Sequence, residues 1–292
     1  MKVSICITTY NNDKYITQAI ESALGQKTNF NYEIIIGEDD SSDNTRNIVK
    51  QYHAKYPERI RLFLNNRADV IYIDGKPTGI RNLINVINEA QGEYLALLDG
   101  DDYWLRSDKL QKQVDFLDDN RESSICFHNA IEYREEENVS KIFLPDDFPQ
   151  VTSLEKLLEY NYIPTCTVMY RRSAMPNLPP WFTGLRMSDW PLHILTSQNG
   201  SVGYINQVMG CYRQHKQGSW YAMSLVQKYI YILKAYEIFQ QHFSKNIVYS
   251  KKIKQLRSKH CFLIAKEYTK SKNYVKALRY YYLAYTFNCK SI

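Results

Sequence analysis

Apolar and polar positions alternate at the start of the chain. Val3, Ile5 and Ile7 interleave with Ser4, Cys6 and Thr8, which is the period of a strand. Ile16, Ala19, Ile20, Ala23 and Leu24 then recur at helical spacing, with Asn11, Asn12 and Asp13 ahead of them as capping side chains. The short apolar run at 33–37 suits a strand buried on both faces. A helix carrying Ile48, Val49 and Tyr52 follows, capped by Ser42 or Asp43. Residues 61–64 read as a third strand, and Ile80, Leu83, Ile84 and Ile87 form another helical stripe. Residues 94–98 make a fourth strand that ends on Asp99. This alternation predicts an α/β fold with a mostly parallel, doubly wound sheet.

The middle of the chain is mixed. Strand-like pieces occur at 124–127, 166–170 and 202–205, and a helix starts near Ser153 with Leu154, Leu157 and Leu158. Pro164, Pro176, Pro179 and Pro180 mark irregular connections. From Trp220 onward the pattern is helical, through Tyr229, Ile232, Leu233 and Tyr236, then Leu256, His260, Leu263 and Ile264, then Ala277, Tyr281 and Ala284. The expected division is 1–120, 121–220 and a C-terminal helical appendage over 221–292.

Charge sharpens that last boundary. Residues 221–292 hold 14 Lys and Arg against Glu237 and Glu267, a balance of +12, while the rest of the chain is acidic at −6. The tail is rich in tyrosine, a ring with a polar tip that suits half-wet surfaces. The expectation is peripheral contact with an anionic membrane, and a solvated helical bundle or a homodimer contact is the alternative. Nucleic acid is not expected, because the body is acidic. Cysteines at 6, 126, 166, 211, 261 and 289 form no C-x-x-C pair, which argues against a zinc or disulfide framework. With no signal-like leader and no long apolar run, the expected setting is the cytoplasm, peripherally at the inner face of the membrane.

Three polar clusters follow apolar strands: Thr8 to Asn11, Glu38 to Thr45, and Asp99 to Trp104. Ligands of open parallel sheets bind at the carboxyl ends of strands, so the clusters should meet on one edge. Asp99, Asp101 and Asp102 repel one another, a cost that a bound cation offsets. Oxygen ligands of this kind suit Mg²⁺ or Mn²⁺, with a substrate diphosphate completing the shell. An acidic turn capping a helix is the plainer alternative. Asp39 offers an acceptor to the N–H edge of a base such as uracil, thymine or guanine.

In order and spacing the clusters resemble the inverting family 2 glycosyltransferases of the GT-A fold. The matching pieces are Thr8 to Asn11, then Glu38, Asp39, Ser41, Asp43 and Thr45, then Gly79, Arg81 and Asn82, then Gly92, Glu93, Tyr94 and Leu98 to Asp102. Glu38 stands where the pattern has Asp, and the resemblance ends near residue 220. It implies a nucleotide-sugar donor, a UDP-sugar first, and a saccharide or lipid-linked acceptor. Asp39 would bind the base, Asp99 the ribose or sugar, and Asp101 the metal. Thr8, Tyr10 and Arg81 would complete the donor site.

The same resemblance puts the general base at Asp189, where Ser188 replaces the usual first acid of an acidic pair. A cap of the helix that follows is the competing role. His215, in a Y-R-x-H element with Arg213 as a phosphate ligand, would be a second metal ligand, and a surface turn is its alternative. Trp181 and Trp190 can stack on acceptor sugars or fill the core. Two rival functions are a sugar-phosphate nucleotidyltransferase, which would want a Gly-rich loop that residues 8–14 lack, and a catalytically inactive nucleotide-sugar-binding protein.

Overall fold

The first four apolar runs become strands β1 (Val3–Thr9), β2 (Tyr32–Glu38), β3 (Ile60–Leu64) and, after a small hairpin of β4 (Tyr72–Ile73) and β5 (Lys76–Pro77), β6 (Tyr94–Asp99), in a computed structural model that describes residues 1–289. The helices between them are α1 (Ile16–Leu24), α2 (Thr45–Lys55) and α3 (Ile80–Glu89). Strands β3, β2, β1 and β6 lie side by side and parallel, as right-handed crossovers require. Apolar side chains of α1 (Ile16, Ala19, Ile20 and Ala23) are buried with Val3, Ile5, Ile7, Ile34 and Ile36 of the sheet, each such residue contributing about 1.5–3 kcal/mol if large.

Beyond β6 come β7 (Tyr103–Trp104), α4 (Lys109–Asp119), β8 (Ser123–Arg134), β9 (Val139–Ile142), β10 (Val151–Thr152), α5 (Leu154–Glu159), β11 (Met169–Arg171), α6 (Asp189–Thr196) and β12 (Ser201–Gln214). They extend the sheet in the order β6, β11, β8, β12, β10. The parallel arrangement returns between β8 and β12, but β11 runs antiparallel to both its neighbours. Several details differ from the expected elements, among them the cap of α2, which is Asn44 without a side-chain bond and not Ser42 or Asp43. The predicted strand over 166–170 begins only at Met169, because Pro164 starts a 3₁₀ turn over Thr165–Thr167 in which the Thr167 hydroxyl donates to the Pro164 carbonyl at 2.7 Å. Asn11, Asn12 and Asp13 do not cap α1, whose first turn has no side-chain cap.

The chain divides into two units: Met1–Pro179 with Ser188–Gln214, which holds the sheet, and Pro180–Met187 with the chain from His215 onward. The second unit contains α7 (Leu225–His242), α8 (Ile247–Lys270) and α9 (Tyr274–Cys289). A capping box between Ser224 and Gln227 starts α7, and the Asn246 side chain caps α8. Leu233, Cys261, Ile264 and Ala284 form its small core, edged by Tyr229, Tyr268 and Tyr280. Among the described residues, no helix is long and apolar enough to cross a membrane.

Candidate functional site

The strand register brings the three clusters together. Thr9 is level with Glu38 on β2, and Thr8 is level with Asp99 on β6. The Thr8 hydroxyl donates to Asp99 Oδ1 at 2.9 Å. The first two clusters are laced across their loops. Asn11 N–H donates to Ser41 Oγ at 2.9 Å, Asn12 N–H to Thr45 Oγ1 at 2.8 Å, and Asp13 N–H to Asp43 Oδ2 at 3.1 Å. The Asn11 side chain, expected near a helix cap, accepts from Ser42 N–H at 2.9 Å instead. Asn11 and Asp40 sit at φ 53° and 61°, the left-handed region that short polar residues tolerate.

Glu38 and Asp39 are adjacent but do different work. Glu38 is fully buried, pairs with Arg46 and accepts from Ser41 N–H at 2.6 Å, so it closes the loop. Asp39 is 3% exposed, and its Oδ1 is buried with no hydrogen-bond partner in place among the described residues, the Asn65 side chain being its polar neighbour. Its other oxygen lies 3.6 Å from the Arg67 guanidinium. Burial raises the Asp39 carboxyl above its ordinary range, and Arg67 opposes that rise. Arg67 also stacks over the Tyr10 ring at 4.0 Å. Tyr10 is exposed, so Asp39, Arg67 and Tyr10 present an acceptor, a cation and a ring face at one corner. Arg67 escaped sequence reading because it arrives from the irregular 65–78 loop, where no spacing marks it. Arg81 is exposed in the first turn of α3. Since α3 packs back along the sheet and leads into β6, that turn lies at the carboxyl edge.

The acidic turn after β6 is held from several sides. Gly100 N–H donates to the Thr8 carbonyl at 2.9 Å, and a Cβ at Gly100 would stand 2.5 Å from Thr9 Oγ1, which demands glycine there. Asp102 N–H closes the turn on the Asp99 carbonyl at 3.0 Å. Asp102 Oδ1 accepts from Arg213 N–H at 2.8 Å, while among the described residues its buried Oδ2 has only the weak Cys166 thiol beside the carboxyl. The Arg213 guanidinium donates to the Asp101 carbonyl at 2.7 Å and to Gln18 Oε1 at 2.8 Å, over the Tyr15 ring. Arg213 therefore positions the turn. Burial pushes the Asp99 carboxyl up to about 7, with the charges of Asp101 and Asp189 adding to the rise against the Thr8 hydroxyl. Burial and then Asp101 and Asp99 raise Asp102 as well.

Asp189 thus reaches the same electrostatic neighbourhood from α6. It occupies the first helical position, and Ser188 is the cap residue. Its Oδ2 accepts from Asn161 Nδ2 at 2.7 Å, and the side chain is only partly covered. His193, one turn on, is a buried neutral ring: burial lowers it to about 4, and Tyr170 Oη meets its Nδ1 at 2.6 Å. Trp190 is core, with its N–H on the Leu157 carbonyl at 2.7 Å. Trp181 packs on Phe239 and His242 in the helical unit.

The first unit by itself gathers Thr8, Tyr10, Asp39, Arg81, Asp99, Asp101 and Asp189 on its carboxyl edge. His215 is buried and belongs to the second unit, where its carbonyl accepts from Gly218 N–H at 2.9 Å. No group of three or more His, Cys, Asp or Glu among the described residues is arranged to hold a metal ion by itself. The donor chemistry still fits a hard cation. Crowded carboxylates with raised pKa values and a buried Asp102 oxygen gain from positive charge, and Mg²⁺ or Mn²⁺ sites draw much of their shell from substrate phosphate and water.

Comparison with known proteins places this arrangement. The family model for glycosyl transferase family 2 matches residues 4–178. The uncharacterized protein Rv1520 of Mycobacterium tuberculosis is 34% identical over 220 residues, covering 75% of this chain and 61% of that protein. Staphylococcus aureus TarS, a poly(ribitol-phosphate) beta-N-acetylglucosaminyltransferase, is 27% identical over 186 residues, 62% of this chain and 30% of TarS. The chain spans about three-fifths of the length of the mycobacterial relatives it matches. Among solved structures, TarS residues 1–349 in complex with UDP-GlcNAc align with a TM-score of 0.58 at 16% identity, covering 95% of this chain and 89% of that one. The mannosyltransferase PcManGT of Pyrobaculum calidifontis, in complex with GDP-Man and Mn²⁺, aligns at 0.58 and 13%, covering 99% and 87%. At such identities the likeness is one of fold, that of the GT-A glycosyltransferases.

Proposed function

Since the chain belongs to glycosyl transferase family 2, we propose that it moves a sugar from a UDP-sugar to an acceptor hydroxyl with inversion. The observation that carries this reading is the convergence of a buried Asp39 oxygen, the Asp99–Asp102 turn and the Asp189 carboxylate on one sheet edge. The UDP-GlcNAc complex of TarS, a structural neighbour, supports the choice of nucleotide.

In this account Asp39 accepts the imide N–H of uracil, and Tyr10 offers its ring to the base. Thr8 and Asp99 meet the ribose or sugar, and Arg81 lies by the phosphates. Asp101 would hold a divalent cation together with the donor diphosphate; such a cation neutralises charge on the leaving group. Asp189 accepts the acceptor's proton as its oxygen bonds to the anomeric carbon. The carbon–oxygen bond to the diphosphate breaks, and UDP leaves with the electron pair. A carboxylate base of this kind contributes typically about 10²–10⁴-fold. The TarS name supports a cell-surface polymer or its lipid-linked precursor as acceptor.

UDP release from a panel of UDP-sugars in Mn²⁺ tests the reading. Wild type should release UDP, and Asp101→Ala or added EDTA should abolish it with the fold kept. Full activity in EDTA would remove the metal from the account. Preference for a non-uridine donor would remove the nucleotide assignment.

A further inference from the structure

The last helix carries a second apolar face that is largely exposed within its own unit among the described residues. Ala277 and Ala284 point α9 into the small core, at 3% and 7% exposure. Tyr274, Val275, Leu278, Tyr282 and Tyr285 are exposed by 60–82%. At 3.6 residues per turn these five fall within an arc of about 100°. Lys276 and Arg279 lie beyond one edge of that arc, and residues 274–289 contain no acidic side chain. Beside the other edge, α8 and α9 leave a cleft of about 480 Å³ lined by Lys259, Phe262, Tyr281 and Tyr285. Tyr285 thus belongs to both the stripe and the cleft.

From this arrangement we propose that α9 lies in the plane of an anionic lipid surface, with Val275, Leu278 and Tyr282 entering the acyl boundary. Lys276, Arg279 and Lys259 then meet lipid phosphates. Interfacial helices pair an apolar face with basic flanks in this way, and tyrosine tolerates the boundary because one end is apolar and the other wet. The charge decides between occupants. Residues 221–292 carry +12, so a second copy packed on this face would bring like charges together, whereas an anionic surface is attracted. Val275 and Leu278 offer no ring or hydrogen bond to a nucleic acid, which argues for lipid over a polyanion in solution.

Co-sedimentation of the full chain with vesicles of phosphatidylcholine, alone or mixed with phosphatidylglycerol, tests this. Wild type should bind the mixed vesicles, less so at high salt, and leave the neutral ones. Leu278→Glu with Tyr282→Glu changes exposed positions only, so helicity and melting should hold while the partition coefficient falls at least about tenfold. Lys276→Glu with Arg279→Glu should cause a loss of similar size. Absence of binding to mixed vesicles overturns the proposal. So does binding that survives both pairs of substitutions. Concentration-dependent dimerisation that the Leu278/Tyr282 pair abolishes, without vesicle binding, would assign the face to a second copy. Capture of a single-stranded oligonucleotide without vesicle binding would assign it to nucleic acid.

Discussion

Asn161 donates a hydrogen bond to the carboxylate of Asp189 at 2.7 Å, and so fixes one oxygen of the group whose charge reaches Asp99. A side chain held this way presents its other oxygen in a fixed direction. Asn161→Ala should lower kcat by about tenfold to a hundredfold, the cost of a base misplaced by around 1 Å, with UDP affinity unchanged. A rise in donor KM at constant kcat would show that Asn161 serves the donor instead.

Asp39 should set nucleotide choice. Removing a charged acceptor from a buried N–H costs roughly 1.5–3 kcal/mol. Titration calorimetry of Asp39→Ala should show UDP weakened by that amount, while wild type prefers UDP to ADP. Equal affinity for the two nucleotides in wild type would refute the assignment.

Arg213 should hold the acidic turn. Arg213→Leu keeps the main-chain N–H on Asp102 but leaves the Asp101 carbonyl and Gln18 without their donor. Gln18 is exposed, so water replaces its bond, and the half-buried Asp101 carbonyl carries the cost, about 1–2 kcal/mol and readable by urea denaturation. Arg213→Lys should restore little of it, because an ammonium cannot reproduce the fork. Unchanged stability in Arg213→Leu would mean that the turn stands without it.

Much of the site was legible because carboxylates at strand ends repeat a pattern with a physical cause. Thr8, Asp39 and Asp99 each close an apolar strand, and parallel pairing alone puts them on one edge. What escaped depends on tertiary contact. Arg67 comes from an irregular loop, and Asn161 from the turn after α5. Arg213 was visible as a cation, but only pairing of β12 beside β7 aims it at Asp101. The same limit applies to β8 and β12, whose second halves mix apolar and polar positions without a clean alternation and were not read as strand, although β8 runs on to Arg134 and β12 to Gln214. Residues 180–187 gave no compositional sign that they group with the helical unit.

Asp99 makes stability pH-dependent with a definite sign. Its folded pKa of about 7 lies above the ordinary carboxylate value, so the unfolded chain ionises first and stability is lost as pH rises from about 4 to 7. Above that the loss is complete. Asp99→Asn should therefore stabilise the protein by about 1–3 kcal/mol at pH 8 and by much less at pH 5. An equal effect at both pH values would show that charge is not the cause.

Sugar transfer from a UDP-sugar with Asp189 as base is tested most directly by UDP release from Asp189→Asn beside wild type. In hydrolysis, water takes the place of the acceptor hydroxyl and needs the same proton acceptor. Asn keeps the size of the side chain but cannot take the proton. The rate should fall by about 10²–10⁴-fold, with UDP affinity and melting temperature held. Wild-type UDP release from Asp189→Asn would contradict Asp189 as base.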